Sequence, residues 1–157
     1  MLKELWAKLS AGERFIAYGV VAVVVGWILG QVLGSSTIGG GNVGGYNIPG
    51  YTINYFGAGN AGLLELVALL AAIVVGVVLY LKIAPNMNIT WPLPVVQILL
   101  GAGAVSLAGG VLATLIQVTN GGTPPVLMYV ADLIVIGGGA AMAWFAYQDY
   151  LASKTVV

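Results

Sequence analysis

Glu65 and Asp132 are the residues of this chain whose types and surroundings could do chemistry. Each sits inside a long apolar stretch, and no Lys, Arg or His lies at similar depth to neutralise it. A carboxyl group in hydrocarbon is costly, so such residues usually face protein or a wet cavity and mark an ion site, a proton relay or a hidden partner. One expectation is a site for a proton or a monovalent cation. The other is a pair of neutral acids, hydrogen-bonded to Gln31, Ser106, Thr114, Gln117, Tyr129 or a backbone carbonyl. In that role they act as interhelical glue contributing about 0.6 kcal/mol each.

Paired carboxyls can also serve acid–base catalysis, but no nucleophile, metal ligand or electrophilic Arg accompanies them. The chain has no Cys and no His. That excludes thiolate nucleophiles, iron–sulfur clusters, imidazole bases and His metal sites. No Gly-rich run ends in Gly-Lys-Ser/Thr, so there is no phosphate-cradling loop. The expectation is a non-enzymatic protein with no catalytic residue, no metal and no cofactor.

The elements that must position the acids emerge from composition. Of 157 residues, 60% are hydrophobic and only 6% charged, against about 25% charged in soluble domains. Net charge is zero, which leaves no basic surface for nucleic acid. Four apolar stretches, Phe15–Leu33, Leu63–Ile83, Val95–Val118 and Val126–Tyr147, each approach the ~20 residues that cross about 30 Å of hydrocarbon. They predict helices over 13–34, 62–83, 93–118 and 126–150. The fold class is all-α: an integral membrane four-helix bundle forming one transmembrane domain over 1–157. The first stretch is longer than a signal-peptide core, so a retained helix is expected.

Lys3, Lys8, Arg14, Lys82 and Lys154 all fall on one side of these spans, with both termini, while the connections Ser35–Asn60 and Thr119–Pro125 carry no charge. The positive-inside rule makes that side cytoplasmic. The expected location is a prokaryotic plasma membrane. Trp91, Trp144 and Tyr147 mark the inner boundary, and Trp27 and Tyr129 lie toward the outer one. In segment 1–10, Leu2, Leu5, Trp6 and Leu9 share a helical face that suits an interfacial helix. Ser10-Ala11-Gly12-Glu13 then reads as a capping box that starts the first span afresh.

Small residues recur at every fourth position in each span: Gly26, Gly30 and Gly34; Ala68, Ala72 and Gly76; Ala102, Ser106, Gly110 and Thr114; Gly139 and Ala143. Such glycine-zipper stripes allow close backbone approach and predict a tight bundle, with self-association as a further outcome. Glu65 lies on the same stripe as Ala68, Ala72 and Gly76, and Asp132 on that of Gly139 and Ala143. Both acids should therefore face protein.

The outer loop 35–60 is rich in Gly and Tyr. Polar and apolar residues alternate on either side of Pro49-Gly50, which predicts a hairpin turning there. Its uncharged, aromatic, β-prone character makes Tyr46, Pro49, Gly50, Tyr51, Tyr55 and Phe56 the candidate assembly surface. The expected partners are the lipid bilayer and either further copies of this chain or other membrane subunits. The leading expectation for function is a structural or accessory membrane subunit. The alternative is a small channel or transporter for protons or a monovalent cation, using Glu65 and Asp132. Asn88-Ile89-Thr90 and the terminal Thr155-Val156-Val157 resemble a glycosylation acceptor and a carboxylate-capture ligand. The first falls on the inner side and the second is too short to carry weight.

Overall fold

A computed structural model describes residues 2–57, 59–84, 89–119 and 124–154 of the chain. Asn88 and Thr155-Val156-Val157 lie outside the described residues, as do the side chains of Leu2, Lys3 and Leu5.

Helix α1 (Leu2–Lys8) ends because Ser10 adopts an extended backbone, φ −62° and ψ 167°, and caps the next helix. The Ser10 hydroxyl accepts a hydrogen bond from the Glu13 N–H at 3.2 Å, and the Ser10 N–H donates to Glu13 Oε2 at 2.9 Å. The capping box read from sequence is thus formed in both directions, satisfying donors that a helix start otherwise leaves unpaired. Helix α2 (Ala11–Leu33) then runs the length of the bundle.

Helices α3 (Gly59–Ile83), α4 (Val95–Thr119) and α5 (Val126–Lys154) complete four elements long and apolar enough to cross a membrane. Pro94 and Pro125 stand just before α4 and α5, where a missing N–H costs nothing. The helices alternate in direction around a ring. α2 packs most extensively on α5, α5 on α4 and α4 on α3, while α2 and α3 close the ring over a shorter length. Lys8, Arg14, Lys82 and Lys154 gather at one end, which we call the basic end. There Phe15 stacks on Phe145 at 4.5 Å between ring centroids, and Trp6 packs against Tyr18 at 5.3 Å.

Close approach comes from glycines. A Cβ on Gly19 would lie 2.7 Å from the Gly138 carbonyl oxygen, and one on Gly138 would lie 2.7 Å from that of Gly19. On the other flank of α5, Gly103 abuts Ala143 and Gly139 abuts Leu107 of α4. Gly26 and Gly110 both receive Val135. Much of the small-residue stripes read from sequence is therefore consumed inside a single chain. Gly30 and Gly34 differ from the expectation: they face Phe56 rather than a helix.

The outer segment folds as one long hairpin of four short strands. β1 (Ser35–Ile38) pairs antiparallel with β4 (Tyr51–Asn54), and β2 (Gly41–Val43) pairs with β3 (Tyr46–Ile48). Both ladders share one register. Beyond Ile38↔Tyr51, Gly39 falls opposite Gly50 and Gly40 opposite Pro49, and the next pair is Gly41↔Ile48. The turn is Gly44-Gly45, with φ +61° and +88°, which suits the two-residue hairpin turn whose twist matches its strands. This corrects the expected turn at Pro49-Gly50. Pro49 lacks an N–H and so marks the break between the two ladders instead.

Candidate functional site

Each membrane helix turns one stripe of residues toward the bundle axis. On α3 the buried stripe includes Ala61, Glu65, Ala68, Ala72 and Val75. On α5 it includes Met128, Asp132, Val135, Gly139 and Met142, and on α4 Gly103, Ser106, Gly110, Ala113 and Gln117. Glu65 and Asp132 are each 1% exposed, and Gln117 is 7% exposed. Both acids therefore face protein.

Three contacts set their depth. Ser106 Oγ donates to the Ala68 carbonyl at 3.0 Å, and the Cβ position of Gly109 lies 2.9 Å from the Leu64 carbonyl oxygen. Glu65 thus lies level with Gly109 and Gly110. The Cβ position of Gly110 lies 3.1 Å from Val135 Cγ1, which places Asp132 one helical turn nearer the hairpin, level with Ala113. Gln117 lies one turn beyond Ala113.

None of the side-chain oxygens of Glu65, Asp132 or Gln117, nor the Gln117 amide nitrogen, has a hydrogen-bond partner among the described residues. The expected bonds from the polar neighbours are directed elsewhere. The Ser106 hydroxyl donates to Ala68, and the Thr114 hydroxyl to the Gly110 carbonyl of its own helix at 3.0 Å. Gln31 Oε1 accepts from Asn54 Nδ2 at 2.9 Å. Tyr129 is half-buried in the outer turn of α5 and does not hydrogen-bond to either acid. Gln117 shares their axis without a hydrogen bond to either. Among the described residues neither acid is hydrogen-bonded to a neighbouring helix.

The axis on the basic side of the acids is filled by Ile16, Val23, Val75 and Met142, all fully buried. Below that plug lies a second polar group. Glu13 of α2 forms an ion pair with Lys82 of α3, and Lys8 Nζ donates to the Ile83 carbonyl at 3.4 Å. Asp149 lies against Gly12, and a cavity of about 270 Å³ opens among Ser10, Glu13, Lys82, Leu99 and Asp149. Sequence reading missed this cluster. Its signal was the charge content of the first turn of α2 and the last turns of α3 and α5.

The hairpin is fixed to the bundle by residues that sequence reading places differently. Phe56 belongs to the expected exposed assembly surface, and the structure corrects this. It is fully buried, and its ring fills the groove that Gly30 and Gly34 leave on α2. Asn54 donates to Gln31 Oε1 and accepts from the Phe56 N–H at 3.1 Å and the Gly57 N–H at 3.3 Å. The Tyr55 N–H donates to the Gly34 carbonyl at 2.9 Å. Tyr55 is accordingly half-buried at the hairpin base. Tyr46 and Tyr51, by contrast, are 80% and 75% exposed, and Pro49 and Gly50 are exposed beside them.

Among the described residues no three His, Cys, Asp or Glu side chains are grouped to hold a metal ion. Comparison with protein-family models, with curated proteins and with solved structures finds no match to this chain.

Proposed function

We propose that this chain is a non-enzymatic integral membrane subunit that assembles with further copies of itself through its outer hairpin, with the basic end in the cytoplasm. One observation carries the reading. The hairpin is an uncharged, aromatic, two-stranded ribbon that pairs with no further strand among the described residues, clasped to the bundle by Asn54, Tyr55 and Phe56. A free linker would not need that clasp. A lone two-stranded hairpin is marginal in water, and unpaired edges are templates for another strand. Copies inserted with the same orientation carry their hairpins at the same height, so edge meets edge without further steering. The largely apolar outer faces of the helices suit the lipid bilayer.

The absence of native Cys makes the test clean. Single replacements Val43→Cys, Tyr46→Cys and Thr52→Cys on the hairpin, and Ser153→Cys at the basic end, are oxidised in intact membranes. Disulfides require Cα atoms about 4.4–6.8 Å apart. Cross-linked dimers from at least one hairpin position, with none from Ser153→Cys, support the reading. A chain that cross-links from no hairpin position and runs as a monomer in mild detergent refutes it.

A further inference from the structure

Assembly through the hairpin leaves the three buried polar side chains at the outer half of the axis without a use. Their directions converge. A helical side chain leans toward the N-terminus of its helix. Glu65 and Asp132 lie on helices that start at the hairpin end, so both carboxyls lean toward that end. Gln117 lies on α4, which starts at the basic end, so its amide leans back toward the acids. The three side chains therefore lean toward the same turn, between the levels of Ala113 and Gln117, each buried and without a hydrogen-bond partner among the described residues. Met128, fully buried, shares that end of the axis.

The donor set decides what fits. Two carboxyls and an amide oxygen offer about five side-chain oxygens. Backbone carbonyls nearby are engaged in helical hydrogen bonds. Ca²⁺ takes about six to eight oxygens, more than these side chains supply, and Mg²⁺ demands near-ideal octahedral geometry and gives up its waters reluctantly. Two ionised carboxylates at close range in low dielectric repel each other strongly. One proton and one monovalent cation together neutralise both. No other charge competes. α4 carries no titratable residue, and those of α2 (Glu13, Arg14, Tyr18) lie at the basic end. Apart from Glu65, α3 carries only Tyr80 and Lys82, again at that end. α5 carries Tyr129 one turn from Asp132, with Tyr147, Asp149, Tyr150 and Lys154 remote. Tyr55 stands at the hairpin base.

We infer that Glu65, Asp132 and Gln117 form an intramembrane site for one monovalent cation, bound in competition with a proton. The site is a static one: the apolar plug of Val23, Val75 and Met142 separates it from the basic end.

The test uses the purified full chain in nanodiscs of zwitterionic lipid. Thermal unfolding is followed by circular dichroism in NaCl, KCl or choline chloride at equal ionic strength, from about pH 5 to 9, a range that brackets the titration of perturbed carboxyls. Binding to the folded state alone raises the melting temperature with the logarithm of cation concentration. The expected result is a higher melting temperature in Na⁺ or K⁺ than in choline, with the difference shrinking as pH falls. Gln117→Leu should shift the cation midpoint upward by about tenfold or more, and Asp132→Asn should abolish the response. Identical melting in all three salts overturns the inference. So does a response to pH without any response to cation, which would mean an acid pair sharing a proton. A response to Ca²⁺ or Mg²⁺ alone overturns it too. If Asp132→Asn fails to accumulate, the wild-type titration against choline decides by itself.

Discussion

A methyl group on Gly138 would have nowhere to go. Its Cβ would lie 2.7 Å from the Gly19 carbonyl oxygen and 2.9 Å from the Val23 backbone nitrogen, both fixed parts of α2. Carbon contacts are comfortable only near 3.5–4.0 Å, so α2 and α5 must part by about 0.5–1 Å, and a gap of that size forfeits a quarter to a half of each dispersion contact along the seam. Overpacking of this kind costs about 1–3 kcal/mol. The adjacent Gly137 is the internal control. A Cβ there meets nothing within 4 Å, because the position faces outward. Alanine at 137 only improves helix propensity, by up to about 1 kcal/mol. The two neighbouring substitutions should therefore have opposite signs. Gly138→Ala and Gly137→Ala are compared by unfolding in mixed micelles of increasing denaturing-detergent fraction, monitored by circular dichroism. If Gly138→Ala is as stable as Gly137→Ala, the α2–α5 seam is not set by backbone contact and the packing of α5 on α2 through Gly19 and Gly138 is wrong.

Phe56→Ala should cost about 3–5 kcal/mol by emptying the groove on α2, and it should expose the hairpin base to limited proteolysis while the helices stay inserted. Ser10→Ala removes the acceptor of the Glu13 N–H and should cost about 0.5–2 kcal/mol of thermal stability. Lys82→Met leaves the buried Glu13 carboxylate without its counter-charge and should cost about 1–3 kcal/mol in the same melting assay. Replacing Gly44 and Gly45 together with Val forbids the positive φ angles of the turn; the strand signal in infrared spectra should fall while the helical signal remains.

The architecture was legible because hydrocarbon imposes one strong rule. A span must be long, apolar and internally hydrogen-bonded, and the four stretches meet it without competing readings. The Ser10–Glu13 box was legible because its chemistry is local, contained in four residues. What failed was anything decided by partners far along the chain. Phe56 sits among tyrosines in a Gly-rich loop, and nothing nearby distinguishes a residue that will fold back onto Gly30 from one that will face water. Gln31 and Gln117 look alike in sequence, each near the end of a span and succeeded by Val. In the structure one meets Asn54 and the other meets no partner among the described residues. The run Gly137-Gly138-Gly139 shows the limit most simply. Composition marks it as a place where helices approach, but only the ring order gives Gly138 to α2, Gly139 to α4 and Gly137 to the outside.

The two halves of the bundle are held by different physics, and α2 is the element common to both. At the basic end its first turn is capped by Ser10 and tied to α3 through Glu13 and Lys82. Midway, Gly19 and Gly26 let α5 rest directly on its backbone. At the hairpin end, Gln31, Gly30 and Gly34 receive Asn54, Phe56 and Tyr55. Glu13 and Asn54 are paired by protein where α2 takes part in the contact. The two carboxyls and the Gln117 amide, which project from α3, α5 and α4, have no such partner among the described residues. Glycine at Gly30 is needed to admit the Phe56 ring. The hairpin clasp thus occupies the stretch of α2 that glycine keeps bare.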